Sequence, residues 1–379
     1  MTPAVVLRAL ACAVLVVLAA ATPAHATGSI KKAIWGPVEV GGVSQFPIYR
    51  DLGVGIYQQD ISWAAVTQRG RPANPRDPDD PAYAWPEVID RAVAEARRYG
   101  IRLSLMVWRT PDWANGGRGV TAPPSRAADY ADFIEAVSRR YPTVRFWMVW
   151  GEPIRAVNYL LHPTGSPNYY RKDCGGVCRP RPFNAVQRRD AMRYAQLVDA
   201  AYGRLKSLDR RHRIIGGNTT TSGDVDPENW IKNLRLPDGR PPRMDLFGHN
   251  PFTSRMPDLR RKQILPGTAD FSDLDTLAGW LDRYLHRGER NRRLRIFISE
   301  FTMPTDVPGY EFPFHATRAA QARVLSAGLR IARRWNRIFT FGWMGLRDVE
   351  PRADGTESRT GLIDRQGRRK PAYYAYKRG

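Results

Sequence analysis

The stretch FWMVWGEP at 146–153 is a run of apolar, aromatic and β-branched residues that breaks off at Glu152 and Pro153. A second run, LRIFISEF at 294–301, does the same around Glu300. Continuous apolar runs of this length read as strands buried on both faces, the kind that build all-parallel sheets. A glutamate closing such a strand offers its carboxylate to whatever lies beyond the strand's C-terminal end. In a barrel of parallel strands, that end is where sites are assembled. Two carboxylates facing one cleft meet the minimum requirement for glycosidic bond hydrolysis. A single glutamate at a strand end is more simply a cap or an ion pair. Two of them, in this order and context, point to catalysis.

Outward from these runs, strand-like and helix-like segments alternate in the manner of βα units. Strands are expected at 30–35, 53–61, 101–108, 144–150, 213–218, 244–250, 294–300 and 338–343. Helices are expected at 85–99, 126–141, 185–208, 227–234, 270–286 and 316–335, followed by a closing tail at 362–377. In the first of these helices Val88, Ile89, Ala92, Val93 and Ala96 recur at helical spacing, and Gly100 is the stop signal. Eight such units predict an α/β fold, a (β/α)8 TIM barrel formed as one domain by residues 27–379. The glutamates lie farther apart than three plain units require. The surplus matches loops at 153–184 and 252–269, which would wall a cleft on the catalytic face.

Residues 1–26 read as a secretory signal: Arg8 ahead of an apolar core at 9–21, then Ala24-His25-Ala26 as an A-x-A cleavage site. The core is too short for a comfortable membrane span, and no second apolar stretch of that length follows. The expected product is secreted, extracellular or associated with the cell envelope. Of three cysteines, only Cys174 and Cys178 survive signal removal. In an exported protein such a pair is most simply a local disulfide. A zinc knuckle would need two further soft ligands, and a redox pair would favour C-x-x-C. No metal or organic cofactor is expected.

The net charge is +22, carried by 51 arginines against 8 lysines, which points to an arginine bias as much as to a selected surface. The charges are scattered, and no nucleic-acid-binding motif accompanies them, so a nucleic acid partner is not expected. Attraction to an anionic envelope polymer or an acidic saccharide fits the charge.

At this level of detail the chain resembles the retaining glycoside hydrolases of clan A, the cellulase-family and β-xylosidase-like barrels. WGEP at 150–153 is similar to the clan's fourth-strand motif, and ISEF at 298–301 to its seventh. DLFGHNPF at 245–252 resembles its sixth-strand segment. DISWAAV at 60–66, AYAWPEVID at 82–90, RTPDWANGG at 109–117 and GLIDRQGRRKPAYYAYK at 361–377 extend the likeness over most of the chain. The resemblance implies that Glu152 is the acid/base and Glu300 the nucleophile of a double displacement on a saccharide. It implies further that His249 neighbours the nucleophile and that Trp343 floors the cleavage subsite. Retention needs the two carboxyl groups about 5–5.5 Å apart, one protonated and one ionised. Trp147, Trp150 and Pro153 suggest an apolar setting for Glu152, suited to a proton donor.

Two positions depart from the pattern. Gly151 stands where the clan has an asparagine that binds the sugar's 2-hydroxyl, and Gln58 stands where it has an arginine. Asn218, Asn158 and Asn250 are candidates to substitute. Trp35 and Trp108, near predicted strand ends, are candidates to stack on sugar, whereas Trp85, Trp280 and Trp335 read as core on helices. Asp60 and Asp348 suit either hydroxyl binding or ion pairs. The departures leave a second reading open, a carbohydrate-binding barrel that has lost catalysis.

Overall fold

Eight parallel strands close on themselves in chain order: Ser29–Trp35, Val54–Ser62, Arg102–Trp108, Phe146–Val149, Arg213–Thr220, Leu246–Asn250, Arg295–Ile298 and Ile338–Met344. This computed structural model describes residues 28–159, 183–262, 265–286, 293–309, 311–353 and 357–379. The expected signal sequence and the Cys174–Cys178 pair lie outside the described residues.

Every expected strand is present, with ends shifted by a residue or two. The apolar runs form central strands because each is covered twice. Inside, Ala33, Ile56, Met106, Phe146, Met148, Ile215, Leu246 and Phe297 fill the barrel. Outside, a larger core joins the strands to the helix layer. Gly342 on the eighth strand is a contact the barrel needs. A Cβ there would lie 2.1 Å from the carbonyl oxygen of Ser299, so only glycine lets these strands approach.

The helices follow the apolar spacing. Glu87–Arg98 buries Ile89, Ala92 and Ala96. Ala185–Leu208 starts at Asn184 with a capping box to Gln187, which satisfies donors at its first turn. Trp85 and Trp335 flank helices rather than sitting in them, and Trp280 is buried within Leu274–Tyr284. Three short helices, Phe46–Asp51, Trp63–Val66 and Asp112–Asn115, have too few turns to leave a periodic trace in the sequence. The closing tail is itself helical at Pro371–Arg378, with proline in its first turn. Tyr376 ties it to the barrel by donating to the carbonyl of Ala33 at 2.9 Å. Among the described residues, no helix is long and apolar enough to cross a membrane.

Candidate active site

The fourth strand ends in a sharp bend. Trp150 (φ 64°) and Glu152 (φ 42°) both adopt left-handed backbone, which costs a non-glycine residue about 1–2 kcal/mol. The surrounding structure holds the bend in place. Asn218 donates from Nδ2 to the carbonyls of Val149 (3.0 Å) and Trp150 (2.8 Å). Tyr194 adds its hydroxyl to Val149 at 2.7 Å, and the Trp150 indole donates to the carbonyl of Asn158 at 2.8 Å. Arg109 (φ 64°) and Asn218 (φ 44°) are also left-handed, so strain gathers at the C-terminal ends of strands three to five.

The bend delivers Glu152 to a polar cradle. Arg155 Nη1 donates to Oε2 at 2.7 Å, Asn158 Nδ2 to Oε2 at 3.3 Å, and Asn250 Nδ2 to Oε1 at 3.0 Å. The apolar setting expected from neighbouring tryptophans is therefore not what surrounds the carboxylate. Trp147 is turned away and donates to His212 instead. Asn250 also accepts the backbone N–H of Glu300 on Oδ1 at 3.1 Å. One amide thus joins the two glutamates at the C-terminal face.

Glu300 is half-buried, and no described residue hydrogen-bonds its carboxyl group. Burial pushes that carboxyl well above the usual range, and the charge of Glu152 pushes it further. Glu311 and Asp60 add to the shift, and Arg155 offsets part of it. Glu311, in the loop after the seventh strand, is raised for the same reasons, burial first and Glu152 next. Arg155 stays charged, chiefly because Glu152 faces it.

Linkage then gives the sign for stability. A carboxyl raised by folding still holds its proton where the unfolded chain has lost it, so stability falls as pH rises through that window. Glu300→Gln should therefore raise the unfolding midpoint, with no gain near pH ~4 and a growing gain above neutrality. Thermal melts across pH check this; a constant or negative difference would contradict it.

The other candidates fall into two groups. Gln58 and Trp35 lie beside the pair, and both donate to the carbonyl of Ser299, at 2.8 and 3.2 Å. They position the peptide that precedes Glu300, and Gln58 Oε1 is left buried without a protein partner. Trp108 is half-buried and donates to Asp60 at 2.8 Å, with the Arg109 guanidinium over its ring. Asp348 belongs elsewhere, in a buried pair with Lys370 at 2.7 Å.

His249, Trp343 and Asn218 make their hydrogen bonds elsewhere and none to either glutamate. His249 is fully buried; its Nε2 donates to the carbonyl of Ala269 and its Nδ1 accepts from Thr219, which makes it a neutral core residue. Burial lowers its pKa to about 4. Side chains alternate along a strand, and the next residue, Asn250, is the one that meets the pair. Trp343 is also fully buried, donating to the carbonyl of Thr360. It pairs in register with Ile34 of the outer core, whereas Met344 pairs with Trp35. Asn218 spends its donors on the bend.

Gly151 has a structural reason. A Cβ there would sit 2.7 Å from Met106 Sδ, so the methionine fills the space an asparagine would need. Gly151→Ala should cost at most about 1 kcal/mol, because the contact is the far end of a flexible methionine, and Met106→Ala should relieve most of that cost. Urea unfolding of the double-mutant cycle decides: additive effects would refute the contact.

Arg155 and Glu311 were missed. A cation three residues beyond Glu152 was a usable signal; Glu311, in an irregular loop, left none. Among the described residues no cluster of histidine, cysteine or carboxylate could hold a metal.

No family model matches this sequence. Mannan endo-1,4-beta-mannosidase 7 of Arabidopsis thaliana is 24% identical over 259 residues, covering 59% of this chain and 51% of that protein. A family 39 glycoside hydrolase from Bacteroides cellulosilyticus WH2 superposes with a TM-score of 0.62 at 14% identity, over 92% of this chain and 63% of that one. A monomeric beta-xylosidase from Caulobacter crescentus CB15 gives 0.57 at 16%, over 92% and 67%. The chain spans about half the length of the curated relative and less than two thirds of the family 39 structure. At these identities the likeness establishes the fold. The chain shares the (β/α)8 barrel of clan A glycoside hydrolases, in keeping with the resemblance read from its sequence.

Proposed function

We propose that the chain is a secreted retaining O-glycoside hydrolase acting on a β-linked oligo- or polysaccharide. The observation that carries this reading is Asn250, which holds the carboxylate of Glu152 and the backbone of Glu300 together at the catalytic end of a barrel. The mannanase and xylosidase names among its relatives support a β-linked substrate. Glu300 attacks the anomeric carbon and Glu152 gives its proton to the departing oxygen. Glu152 then takes a proton from the water that releases the sugar from Glu300.

Neighbouring carboxyls titrate as a unit, and one proton between two is the state the first step requires. In the resting site Arg155 pairs with Glu152, and Glu300 is raised by burial first and by Glu152 next. For the first step substrate must displace the guanidinium, so that Glu152 can deliver the proton while Glu300 attacks as the carboxylate. A binding barrel without turnover is the second reading, favoured by that ion pair and by the closed space at Gly151.

A panel of aryl β-xylosides, β-mannosides and β-glucosides, with mannan and envelope polysaccharides, separates the two. Release of aglycone or of reducing ends supports the hydrolase. Glycan binding with no release across the panel would favour the binder.

A further inference from the structure

An open groove of about 730 Å³ runs down the outer wall between residues 256–260, the helix Arg318–Arg334 and the helix Pro371–Arg378. A hollow of about 420 Å³ continues it, sharing Ser326, Arg330, Ala375 and Arg378. Neither Glu152 nor Glu300 lines this trough. Six exposed arginines do: Arg260, Arg323, Arg330, Arg333, Arg334 and Arg378. Arg323, Arg330 and Arg334 follow one another at helical spacing on one face, forming a row about 16 Å long at 1.5 Å per residue.

Composition alone does not explain the row. Several exposed arginines elsewhere have counter-charges, as in Arg91–Glu87, Arg211–Asp209 and Arg240–Asp238. In the trough only Asp258 is acidic, and it pairs with Arg260 and Arg261. The side chains of Arg323, Arg330, Arg333, Arg334 and Arg378 have no acidic partner among the described residues. Residues 312–347 and 365–379 contain no Asp or Glu at all. Charge that looks scattered along the chain is thus concentrated where two acid-free segments pack together.

We propose that this trough is a binding site for a linear, carboxylate-bearing polysaccharide. Guanidinium forks match carboxylates in bidentate geometry. Ala322, Ala327, Ile331 and Leu259 give the trough apolar surface for the C–H faces of sugars. No aromatic side chain lines it, so it lacks the stacking platform on which single-stranded nucleic acid relies. Its concavity suits a chain rather than a flat bilayer. The 256–260 wall follows the sixth strand closely after Asn250, so a bound chain could extend toward the catalytic face. The site goes beyond the hydrolase reading and does not depend on it.

Binding of polygalacturonate to the full chain, measured by titration calorimetry at about 0.15 M salt, tests this. R323A/R330A/R334A should bind at least about ten-fold more weakly. R91A/R211A/R240A, with the same loss of charge, should stay within about two-fold. Alanine favours exposed helix positions, so the groove variant should keep the wild-type melting point. An equal loss in both variants, or equal binding of a neutral galactan, would overturn the proposal. So would single-stranded DNA or phosphatidylglycerol vesicles binding at least as tightly through the same three arginines.

Discussion

Glu300→Ala is expected to abolish turnover of an unactivated β-glycoside, with kcat falling by about 10⁵ or more, because no covalent intermediate can form without the nucleophile. Glu152→Ala should behave differently. Aryl glycosides with good leaving groups need little proton assistance, so their first step should survive while release of the glycosyl-enzyme slows. Azide makes the distinction stereochemical. In Glu152→Ala it should attack the glycosyl-enzyme and give a product of retained configuration. In Glu300→Ala it should enter from the vacated side and give the inverted product. The pH profile adds a check. Because burial and then the charge of Glu152 raise Glu300, and the active form keeps one proton on the pair, the basic limb of kcat/KM should lie above the ordinary carboxylate range. Near-normal rates in either alanine variant on an unactivated substrate would show that the site is elsewhere.

The barrel was legible because its strands are buried on both faces. Such strands leave unbroken apolar runs, and a glutamate ending one stands out against them. What the runs do not reveal is which face each side chain takes. His249 and Asn250 are adjacent, but only Asn250 reaches the glutamates. The eighth strand shows the same limit. Its register with the seventh slips between Ile338 and Thr340, and this local irregularity helps set which residues beyond it face inward. The resemblance put Trp343 in the site, whereas the structure packs it fully buried in the outer core. Asn218 was misread because its left-handed backbone turns the amide onto the bend, a conformation that pattern does not encode. Short helices and single loop residues such as Glu311 carry no period to detect.

Asn250 bears the most weight in the arrangement, and its substitutions separate geometry from charge. Asn250→Ala removes the donor to Glu152 Oε1 and the acceptor of the Glu300 N–H together. Loss of a preorganised polar contact of this kind costs about 10²–10³ in kcat, and the loss should fall on kcat more than on KM. Asn250→Asp keeps the size and can still accept from the Glu300 N–H, but it cannot donate to Glu152 when ionised. It also places another negative charge beside a carboxyl that Glu152, Glu311 and Asp60 already push upward. Like charge favours the protonated form, so the basic limb of kcat/KM, where the pair loses its last proton, should move to still higher pH in Asn250→Asp and not in Asn250→Ala. A purely structural role would lower activity in both variants without that directional difference. Identical pH profiles would therefore place Asn250 in the scaffold and remove the observation on which the hydrolase reading rests.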